Sequence, residues 1–316
     1  MRHETRTTGG TTLAILHTEA PADAWDEEGW AQVRRRTRVL LDSYGVVLLR
    51  GAHIPDVTAF HAAVSGFGSD LIESYRGGNT PRKTLSDGVF TSTEYPARYD
   101  ITLHNELSYA RAWPDRLYFC CLDAPDTGGA TPVCDGEALL GALSPDVRER
   151  FATGVVYRQY LHGGAGLGKS WQDTFETDDK AAVEEFLTGS GADFAWAADG
   201  GLRVAQHRPG IRKNPRTGRD TWFNQADQWH PSNLPDDEAE LLLALTDSHD
   251  DLPHWVTYAD GTPLSDGDLA EVRAAQREHT VAEPWQRGDL MIVDNLSVLH
   301  GRQAFTGTRK VVVSMT

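Results

Sequence analysis

Short apolar runs that end at turn-forming residues are the feature that most limits what this chain can fold into. These runs are rich in β-branched and aromatic residues and are bounded by Gly, Pro, Asp or Asn, as is typical of strands. They do not alternate regularly with helical segments of ~10–15 residues, so a parallel βαβ sheet fits poorly. We therefore predict a mostly β protein with flanking helices and an antiparallel sandwich or jelly roll as core. The runs cover residues 45–51, 89–95, 116–122, 154–161, 220–225, 289–295 and 309–315.

Four other segments have the apolar periodicity and the end signals of amphipathic helices. In the first of them, apolar residues alternate with arginines, and Gly45 follows where a helix end favours glycine. Asp236 and Ser265 are candidate caps for the last two. The predicted helices cover residues 26–43, 55–64, 234–245 and 265–279.

The composition excludes several partners and compartments. Lys and Arg total 30 and Asp and Glu total 46, and the resulting net charge of −16 repels nucleic acid and anionic lipid surfaces. No apolar run approaches the ~20 residues that span a bilayer, and the amino terminus lacks the apolar segment of a signal peptide. Three cysteines are too few, and odd in number, for a disulfide framework. We expect a cytoplasmic protein that binds neither nucleic acid nor a membrane.

One segment matches the phosphate-binding loop pattern GxxxxGKS. It runs from Gly163 to Ser170 as GGAGLGKS and follows a strand-like run. A working loop of this kind needs a helix that begins at the Lys-Ser pair, because the helix amides hold the phosphates. The residues that follow, WQDTFETDD, are acidic and have weak helical periodicity. We therefore interpret the match as a pattern without its structural context, and an NTPase as a disfavoured alternative.

Three His-x-acid pairs are candidates for a metal site. Two residues at period 2 on a strand project from one face, and a distant histidine completes the 2-His-1-carboxylate triad that binds Fe(II). Chance gives about two such pairs in a chain of this composition, so their context has to decide. The pair His17 and Glu19 lies near a terminus that we expect to be mobile, and His249 and Asp251 lie in a polar turn. Both are predicted to be surface residues.

The third pair, His104 and Glu106, lies in the segment YDITLHNELSYARAWP. Ile101, Leu103 and the flanking tyrosines indicate an extended, half-buried segment. A buried histidine and carboxylate are costly unless they bind something. From this segment alone, a pair of metal ligands and a buried His–Glu hydrogen bond remain open.

The carboxy-terminal segment favours the metal. An apolar run leads into Asp294-Asn295, a short turn presents His300, and a last strand begins at Arg309. This segment resembles the Fe(II)/2-oxoglutarate-dependent dioxygenases of the taurine dioxygenase (TauD/TfdA) superfamily, and most closely the SyrP-like branch of antibiotic and peptide natural-product biosynthesis. The resemblance extends over nearly the whole chain, with the landmarks GVVLLRG from Gly45, YRGGNTPR from Tyr75, FTSTEYP from Phe90, HNELSY from His104, GGATPVCD from Gly128, WFNQ from Trp222 and GDLMIVDNLSVLHGR from Gly288.

The resemblance implies that iron is bound by His104, Glu106 and His300. In related halogenases a small residue replaces the carboxylate ligand, so the presence of Glu106 favours oxygenation. The resemblance also implies a double-stranded β-helix (jelly-roll) core in a single domain over residues 1–316. A long insertion is then expected between about 136 and 288.

The same resemblance assigns two residues to 2-oxoglutarate. Thr131, in GGATP, matches a hydroxyl that contacts its carboxylate, and Arg309 matches the arginine that pairs with its distal carboxylate. A guanidinium suits that role because it binds a carboxylate through two hydrogen bonds, although Lys310 or Arg302 are alternatives. Taurine is a poor substrate prediction, because the sulfonate-binding arginine of taurine dioxygenase is replaced here by Val313.

The implied reaction consumes 2-oxoglutarate and O₂, releases succinate and CO₂, and oxidises an unactivated C–H bond. We expect hydroxylation of a small, amino-acid-like substrate, either free or carried on a peptide or a peptidyl carrier protein. Two alternatives remain open. One is the same iron chemistry with desaturation, epimerisation or cyclisation as its outcome, and the other is a cupin-like protein that binds a metal or small molecule without catalysis.

Several side chains near the motifs are candidates for the substrate pocket, and Asn224 and Asp294 are two that also have a routine alternative role. Each could instead be a hydrogen-bonding residue at a turn or strand end. The sequence does not specify the oligomeric state. The pocket candidates are Arg82, Thr93, Tyr109, Asn224 and Arg302.

Overall fold

The computed structural model describes residues 1–18, 26–68, 70–72, 83–92 and 95–316. The YRGGNTPR landmark, which includes Arg82, lies outside these ranges, and so does Thr93. None of the helices described is long and apolar enough to cross a bilayer.

Strands outnumber helices in the described part of the chain. The strands are β1 (Arg2–Thr8), β2 (Thr11–His17), β3 (Val46–Arg50), β4 (Thr84–Ser86), β5 (Val89–Thr91), β6 (Ile101–His104), β7 (Arg116–Asp123), β8 (Thr127–Gly128), β9 (Val133–Asp135), β10 (Val155–Leu161), β11 (Asp193–Trp196), β12 (Leu202–Arg208), β13 (Ile211–Lys213), β14 (Asp220–Trp222), β15 (Trp255–Tyr258), β16 (Thr280–Val281), β17 (Leu290–Asp294), β18 (Val298–Arg302), β19 (Phe305–Thr306) and β20 (Lys310–Met315). The helices are α1 (Glu27–Tyr44), α2 (Val57–Ser65), α3 (Gly136–Ala142), α4 (Pro145–Ala152), α5 (Trp171–Phe175), α6 (Lys180–Ser190), α7 (Ala226–Trp229), α8 (Asp236–Ala244) and α9 (Asp266–His279).

The larger sheet has eight strands in the order β1-β2-β3-β17-β7-β20-β5-β4. Only β2 and β3 pair in parallel within it. Strand β17 shows how both faces of this sheet are buried, because successive side chains of a strand point to opposite faces. Leu290 and Ile292 pack in a cluster with residues of α1 and α2, which lie on one face of the sheet. Met291 and Val293 pack on the opposite face. A central strand buried on both sides explains the continuous apolar run in the sequence.

A second sheet, in the order β16-β9-β18-β6, is wholly antiparallel and packs against that opposite face. The layer between the sheets contains Leu48 and Val313 from the larger sheet and Val133 and Val298 from the smaller one. Two facing sheets with helices on the outside form the predicted jelly-roll core, and the predicted fold class is confirmed.

Most of the chain between β9 and β17 lies beside the smaller sheet. It contains α3–α9, a four-stranded sheet in the order β11-β12-β10-β15 and the β13-β14 hairpin. Tyr157, Trp229 and Leu269 from this part pack in one cluster with Leu103 and Leu299 from β6 and β18. The strands that carry two of the candidate metal ligands are therefore supported from behind.

The structure corrects two expectations about the chain ends. The amino terminus is not mobile, because β1 and β2 form a hairpin and Leu13 and Ile15 are fully buried against the second sheet. The four apolar residues 13–16 are the signal of a strand buried on both faces, which the sequence reasoning overlooked. His300 lies within strand β18 and not in a turn.

Two further expectations concern helix starts and the phosphate-loop match. Ser265 caps α9 as predicted, since its side chain accepts from the amide of Asp268. Asp236 is not a cap, because α8 begins at it after Pro235 and has no side-chain cap. The GGAGLGKS segment follows β10, a strand of an antiparallel sheet, and leads into α5 of only five residues. The parallel crossover that a phosphate loop requires is missing there, which agrees with the interpretation of this match.

The packing predicts where truncation destabilises the protein. Ile292→Ala removes a fully buried side chain beneath α1 and α2 and should lower the free energy of unfolding by ~2–5 kcal/mol. Leu241→Ala, on a side chain that is 60% exposed on α8, is the control and should change it by less than ~0.5 kcal/mol. Chemical denaturation followed by circular dichroism measures both, and equal effects would contradict the described packing.

Candidate active site

Two histidines from different parts of the sequence meet on one face of the smaller sheet, where its edge strand β6 pairs with β18. His104, the last residue of β6, is the direct partner of His300 in the antiparallel register with β18. Opposite residues in such a pair project from the same face, and here the two ring centroids lie 4.4 Å apart. Gly301 makes the close approach possible, because a Cβ at this position would lie 2.5 Å from the carbonyl oxygen of Ile101.

Glu106 completes the group. Its Oε2 atom lies 3.7 Å from Nε2 of His104 and also 3.7 Å from Nε2 of His300. One ligand atom from each of the three residues lies within 4.8 Å of the other two. All three side chains are buried, with residue exposures of 8%, 3% and 4% for His104, Glu106 and His300. The structure thus brings together the three predicted metal ligands.

The way Glu106 reaches this position differs from the sequence argument. Strand β6 ends at His104, so the two side chains do not share a strand face by alternation alone. Leu107 adopts a left-handed backbone conformation with φ of 55°, which turns the chain immediately after Glu106. A non-glycine residue in this region costs energy and has to be held by its surroundings.

Asn295, at the end of β17, holds this turn. Its Oδ1 accepts the amide hydrogen of Glu106 at 2.7 Å, and its Nδ2 donates to the carbonyl oxygens of Glu106 and Pro114, both at 2.9 Å. Asn105 returns a hydrogen bond from its Nδ2 to the carbonyl oxygen of Asn295 at 2.7 Å. The sequence reasoning noted the Asp294-Asn295 turn but missed this role. Asp294 itself accepts from the amide of Ser297, as expected of a turn residue.

The hydrogen bonds also orient His104. Its Nδ1 lies 2.8 Å from the carbonyl oxygen of Thr102, which can only accept, so Nδ1 carries the proton. In the neutral imidazole this tautomer leaves the lone pair on Nε2, which faces the carboxylate of Glu106. A backbone partner on the second ring nitrogen is typical of histidines that bind metals. Two imidazoles and one carboxylate that converge in this way match the donor set of Fe(II) oxygenases and can hold such an ion.

A small cavity adjoins the three side chains and has a partly buried cation in its wall. Its lining includes His104, His300, Phe119, Thr131 and Arg309. Arg309 donates from Nε to the carbonyl oxygen of Gly129 at 2.8 Å and from Nη1 to Oγ of Ser92 at 3.3 Å. In the described part of the chain no carboxylate lies within 4 Å of this guanidinium.

The charge of Arg309 persists at neutral pH. Burial, with a contribution from Arg302, lowers the pKa of Arg309 to about 10. A buried cation without a counter-charge is unfavourable unless an anion binds beside it. The cavity wall therefore fits a carboxylate, and Thr131 adds a hydroxyl that accepts from Nε1 of Trp285 at 3.3 Å.

Arg302 and Lys310, the alternatives to Arg309 as partner of the distal carboxylate, make other contacts. Arg302 also lines the cavity, but its terminal nitrogens donate to the carbonyl oxygens of Tyr95, Pro96 and Tyr99 at 2.7–2.8 Å. Its main contacts therefore hold the segment 95–99 in place. Lys310 is exposed at the start of β20 and does not belong to the cavity lining.

Two predicted pocket residues lie elsewhere. Tyr109 is buried in an aromatic cluster, with its ring centroid 5.0 Å from that of Trp229 and 6.2 Å from that of Tyr157. Asn224 donates from Nδ2 to the carbonyl oxygen of Gly210 at 2.8 Å and accepts from the amide of Ala226 at 3.1 Å. Neither lines the cavity beside the histidines. Arg82 and Thr93 fall outside the described residues.

The other His-x-acid pairs do not form comparable groups in the described residues. His17 contacts Glu4 across the β1-β2 hairpin at 3.0 Å, and Glu19 lies outside the described ranges. His249 stacks on Trp255 with the ring centroids 4.1 Å apart, while Asp251 pairs with Arg203. His249 is exposed, as predicted, whereas Asp251 is half-buried.

Comparison with known proteins agrees with this geometry. The sequence profile of the family described as "Taurine catabolism dioxygenase TauD, TfdA family" matches residues 13–316. The chain is 34% identical over 277 residues to the dapdiamide synthesis protein DdaC of Enterobacter agglomerans, covering 87% of this chain and 83% of that protein. It is 31% identical over 288 residues to a clavaminate synthase-like protein of Arabidopsis thaliana, covering 87% and 82% of the two chains.

The fold is also shared with a solved structure. PvcB, described as an Fe, alpha-ketoglutarate dependent oxygenase from an isonitrile synthetic pathway, superimposes with a TM-score of 0.54 at 17% identity, covering 99% of this chain and 90% of PvcB. The chain belongs to the TauD/TfdA family and is an Fe(II)- and 2-oxoglutarate-dependent dioxygenase that uses O₂ and acts on a small molecule.

Proposed function

We propose that this dioxygenase hydroxylates an unactivated C–H bond of an amino acid in natural-product biosynthesis, with the substrate either free or attached to a peptide or a peptidyl carrier protein. The observation that carries the proposal is the convergence of His104, Glu106 and His300 beside the partly buried Arg309. A relative at 34% identity is named for dapdiamide synthesis, which supports a role in biosynthesis.

In this proposal His104, Glu106 and His300 hold the iron. The bound iron, together with 2-oxoglutarate and O₂, supplies the oxidising power needed to break a C–H bond. Glu106 contributes one negative charge, which offsets half of the charge of a divalent ion. Its presence as a third protein ligand favours hydroxylation over halogenation, because a halide would need that position.

Arg309 and Thr131 are the proposed contacts of 2-oxoglutarate. Arg309 is positioned by the carbonyl oxygen of Gly129 and by Ser92, so that its remaining N–H groups can bind the distal carboxylate. Trp285 donates to Thr131 and thereby orients the hydroxyl proton away from the indole, toward an acceptor. Phe119 packs against the proposed metal ligand His300, with the two ring centroids 5.2 Å apart, and so limits the access of water to the iron site.

Asn295 is a positioning residue in this proposal. It contacts the backbone on both sides of Glu106 and so sets where the carboxylate points. Groups that orient metal ligands in this way typically contribute ~10–100-fold to metal affinity.

Other oxidative outcomes use the same residues. Desaturation, epimerisation and ring closure differ from hydroxylation by the placement of the substrate within about 1 Å of the reacting centre. Product analysis distinguishes them. Membership of a dioxygenase family weighs against the non-catalytic cupin-like alternative.

The first prediction concerns iron and 2-oxoglutarate together. Anaerobic addition of Fe(II) and 2-oxoglutarate should produce the weak visible charge-transfer band of a chelated 2-oxo acid. We expect His104→Ala to abolish the band, because a metal ligand is removed. Arg309→Ala should raise the concentration of 2-oxoglutarate at half-maximal band intensity at least tenfold, because a charge-assisted pair is lost.

Matched controls separate these effects from general damage. His249→Ala removes a surface histidine and Lys310→Ala removes the neighbouring exposed cation, and both should leave the band unchanged. Absence of the band in iron-loaded wild-type protein would refute the proposed site.

The second prediction tests Asn295. Asn295→Asp keeps an acceptor for the amide of Glu106 but loses the donor to the carbonyl oxygens of Glu106 and Pro114. We expect the dissociation constant of Fe(II) to rise ~10–100-fold, measured by competition with a chelator. Asn224→Asp, in a buried asparagine away from the cavity, is the control and should leave iron affinity unchanged. If both variants lower affinity equally, Asn295 has only a general structural role.

The third prediction concerns the substrate. Free amino acids and aminoacyl-pantetheine thioesters, tested one by one, should include at least one that stimulates succinate release at least tenfold over the substrate-free rate. Its product should gain one oxygen atom, which mass spectrometry detects. His104→Ala is the inactive control. No stimulation by any member of the panel would refute an amino-acid substrate while leaving the iron site intact.

A further inference from the structure

A concentrated group of basic residues lies in this acidic chain. The segment 200–219 contains no Asp or Glu, whereas the whole chain has a net charge of −16. Six cations lie in it, namely Arg203, Arg208, Arg212, Lys213, Arg216 and Arg219.

Three of the exposed members are compensated by carboxylates from elsewhere. Arg203 pairs with Asp251, Lys213 with Asp220 and Arg219 with Glu137. Exposed ion pairs of this kind are typical of a solvated surface and indicate no ligand.

Arg212 is different. Its guanidinium lies over the ring of Trp113, 4.1 Å from the centroid, and 5.5 Å from the ring centroid of Phe223. Its Nε is buried and donates to no acceptor in the described residues. Burial lowers the pKa of this arginine below its ordinary value. The aromatic rings fix the plane of the guanidinium and leave its N–H edge to bind in-plane acceptors.

Arg208 and Arg111 add positive charge beside it. Arg208 donates to the carbonyl oxygens of Tyr109 and Ser190 and to Oε1 of Gln206, and burial together with Arg212 and Arg111 lowers its pKa. Arg111 donates to the carbonyl oxygen of Gly189 at 2.6 Å.

These acceptors are all neutral. Carbonyl oxygens position the guanidinium groups, and the end of α6 provides partial negative charge. In the described part of the chain no carboxylate lies within 4 Å of Arg111, Arg208 or Arg212. Three cations thus share a region without a full counter-charge, although acidic residues outnumber basic ones in the sequence.

The arginines are joined to the backbone that carries Glu106. Arg208 donates from Nε to the carbonyl oxygen of Tyr109, three residues after Glu106, at 2.9 Å. Trp113, which stacks on Arg212, follows in the same loop, and Pro114 accepts from Asn295. An anion bound at Arg212 would therefore be positioned by the same loop that carries Glu106, the proposed iron ligand.

We propose that Arg212, with Arg208 and Arg111, binds an anionic group of the substrate, a carboxylate or a phosphate, at a distance from the C–H bond that is oxidised. This inference rests on the proposed function, since it names an anchor for its substrate. A stacked guanidinium with a free edge matches either group through paired hydrogen bonds. Binding of a remote group positions the reacting C–H bond. When the binding energy of that group is the same in the ground state and the transition state, its loss raises KM and leaves kcat nearly unchanged.

Calorimetric titration tests the anion site without knowledge of the substrate. The protein is first loaded anaerobically with Fe(II) and saturating 2-oxoglutarate, so that Arg309 is occupied. Sodium phosphate and sodium malonate are then titrated separately, with sodium chloride as the ionic-strength control. We expect saturable binding of at least one probe, and the tighter of the two identifies the class of group.

Variants locate the binding. Arg212→Gln should weaken it at least tenfold, and Arg212→Lys should retain part of it because the charge remains. Lys213→Gln, at the adjacent exposed residue paired with Asp220, is the matched control and should bind as the wild type does. No saturable binding in the wild type, or equal affinity in Arg212→Gln, would overturn the inference.

The visible band separates this failure from failure of the proposed function. The band should be unchanged in Arg212→Gln, because this residue does not contact the proposed iron or 2-oxoglutarate ligands. A normal band without anion binding contradicts only the anion site, whereas loss of the wild-type band contradicts the proposed function. With a substrate from the panel, Arg212→Gln should raise KM at least tenfold and change kcat less than threefold.

Discussion

The antiparallel register between β6 and β18 is the constraint on which the candidate active site depends. It places His104 directly opposite His300 although 196 positions separate them in the sequence. A shift of one residue would turn one imidazole to the other face of the sheet and separate the pair. The register is supported from both sides, by the apolar layer between the two sheets and by the aromatic cluster behind β6 and β18. Gly301 allows the two backbones to approach closely enough for the imidazoles to converge.

Rigid sheets alone do not complete the site. Glu106 lies just beyond the end of β6, and its position depends on a left-handed residue and on the buried amide of Asn295. Because Asn295 lies at the end of β17, the larger sheet also positions the carboxylate. The two sheets therefore each contribute to one small group of ligand atoms, which links the stability of the jelly roll to the geometry needed for chemistry.

Positive charge without a nearby carboxylate is common to the two proposed anion sites of this protein. The exposed cations Lys213 and Arg219 pair with carboxylates. In the described part of the chain no carboxylate lies within 4 Å of Arg309, beside the histidines, or of Arg212, beside Trp113, and partial burial lowers the pKa of both. A partly buried cation without a partner is more costly than an exposed one, and a bound anion lowers that cost. The same physical reason therefore supports both proposals, in which Arg309 binds 2-oxoglutarate and Arg212 binds an anionic group of the substrate.

The sequence by itself determined the mostly β class, because strand periodicity is a local property of the chain. Its ordered motifs also determined the family, and the resemblance to that family implied the three candidate metal ligands. The same resemblance implied Arg309 as a 2-oxoglutarate contact, and its position at the start of an apolar strand agreed with that role. Tertiary structure alone decided that His300 lies in a strand, that Arg302 holds the segment 95–99, and that Tyr109 and Asn224 pack away from the cavity. It also revealed the roles of Asn295 and Arg212. These roles depend on contacts between segments remote in the sequence, and hydrogen bonds and ring stacking across such distances leave no periodic signal in the chain.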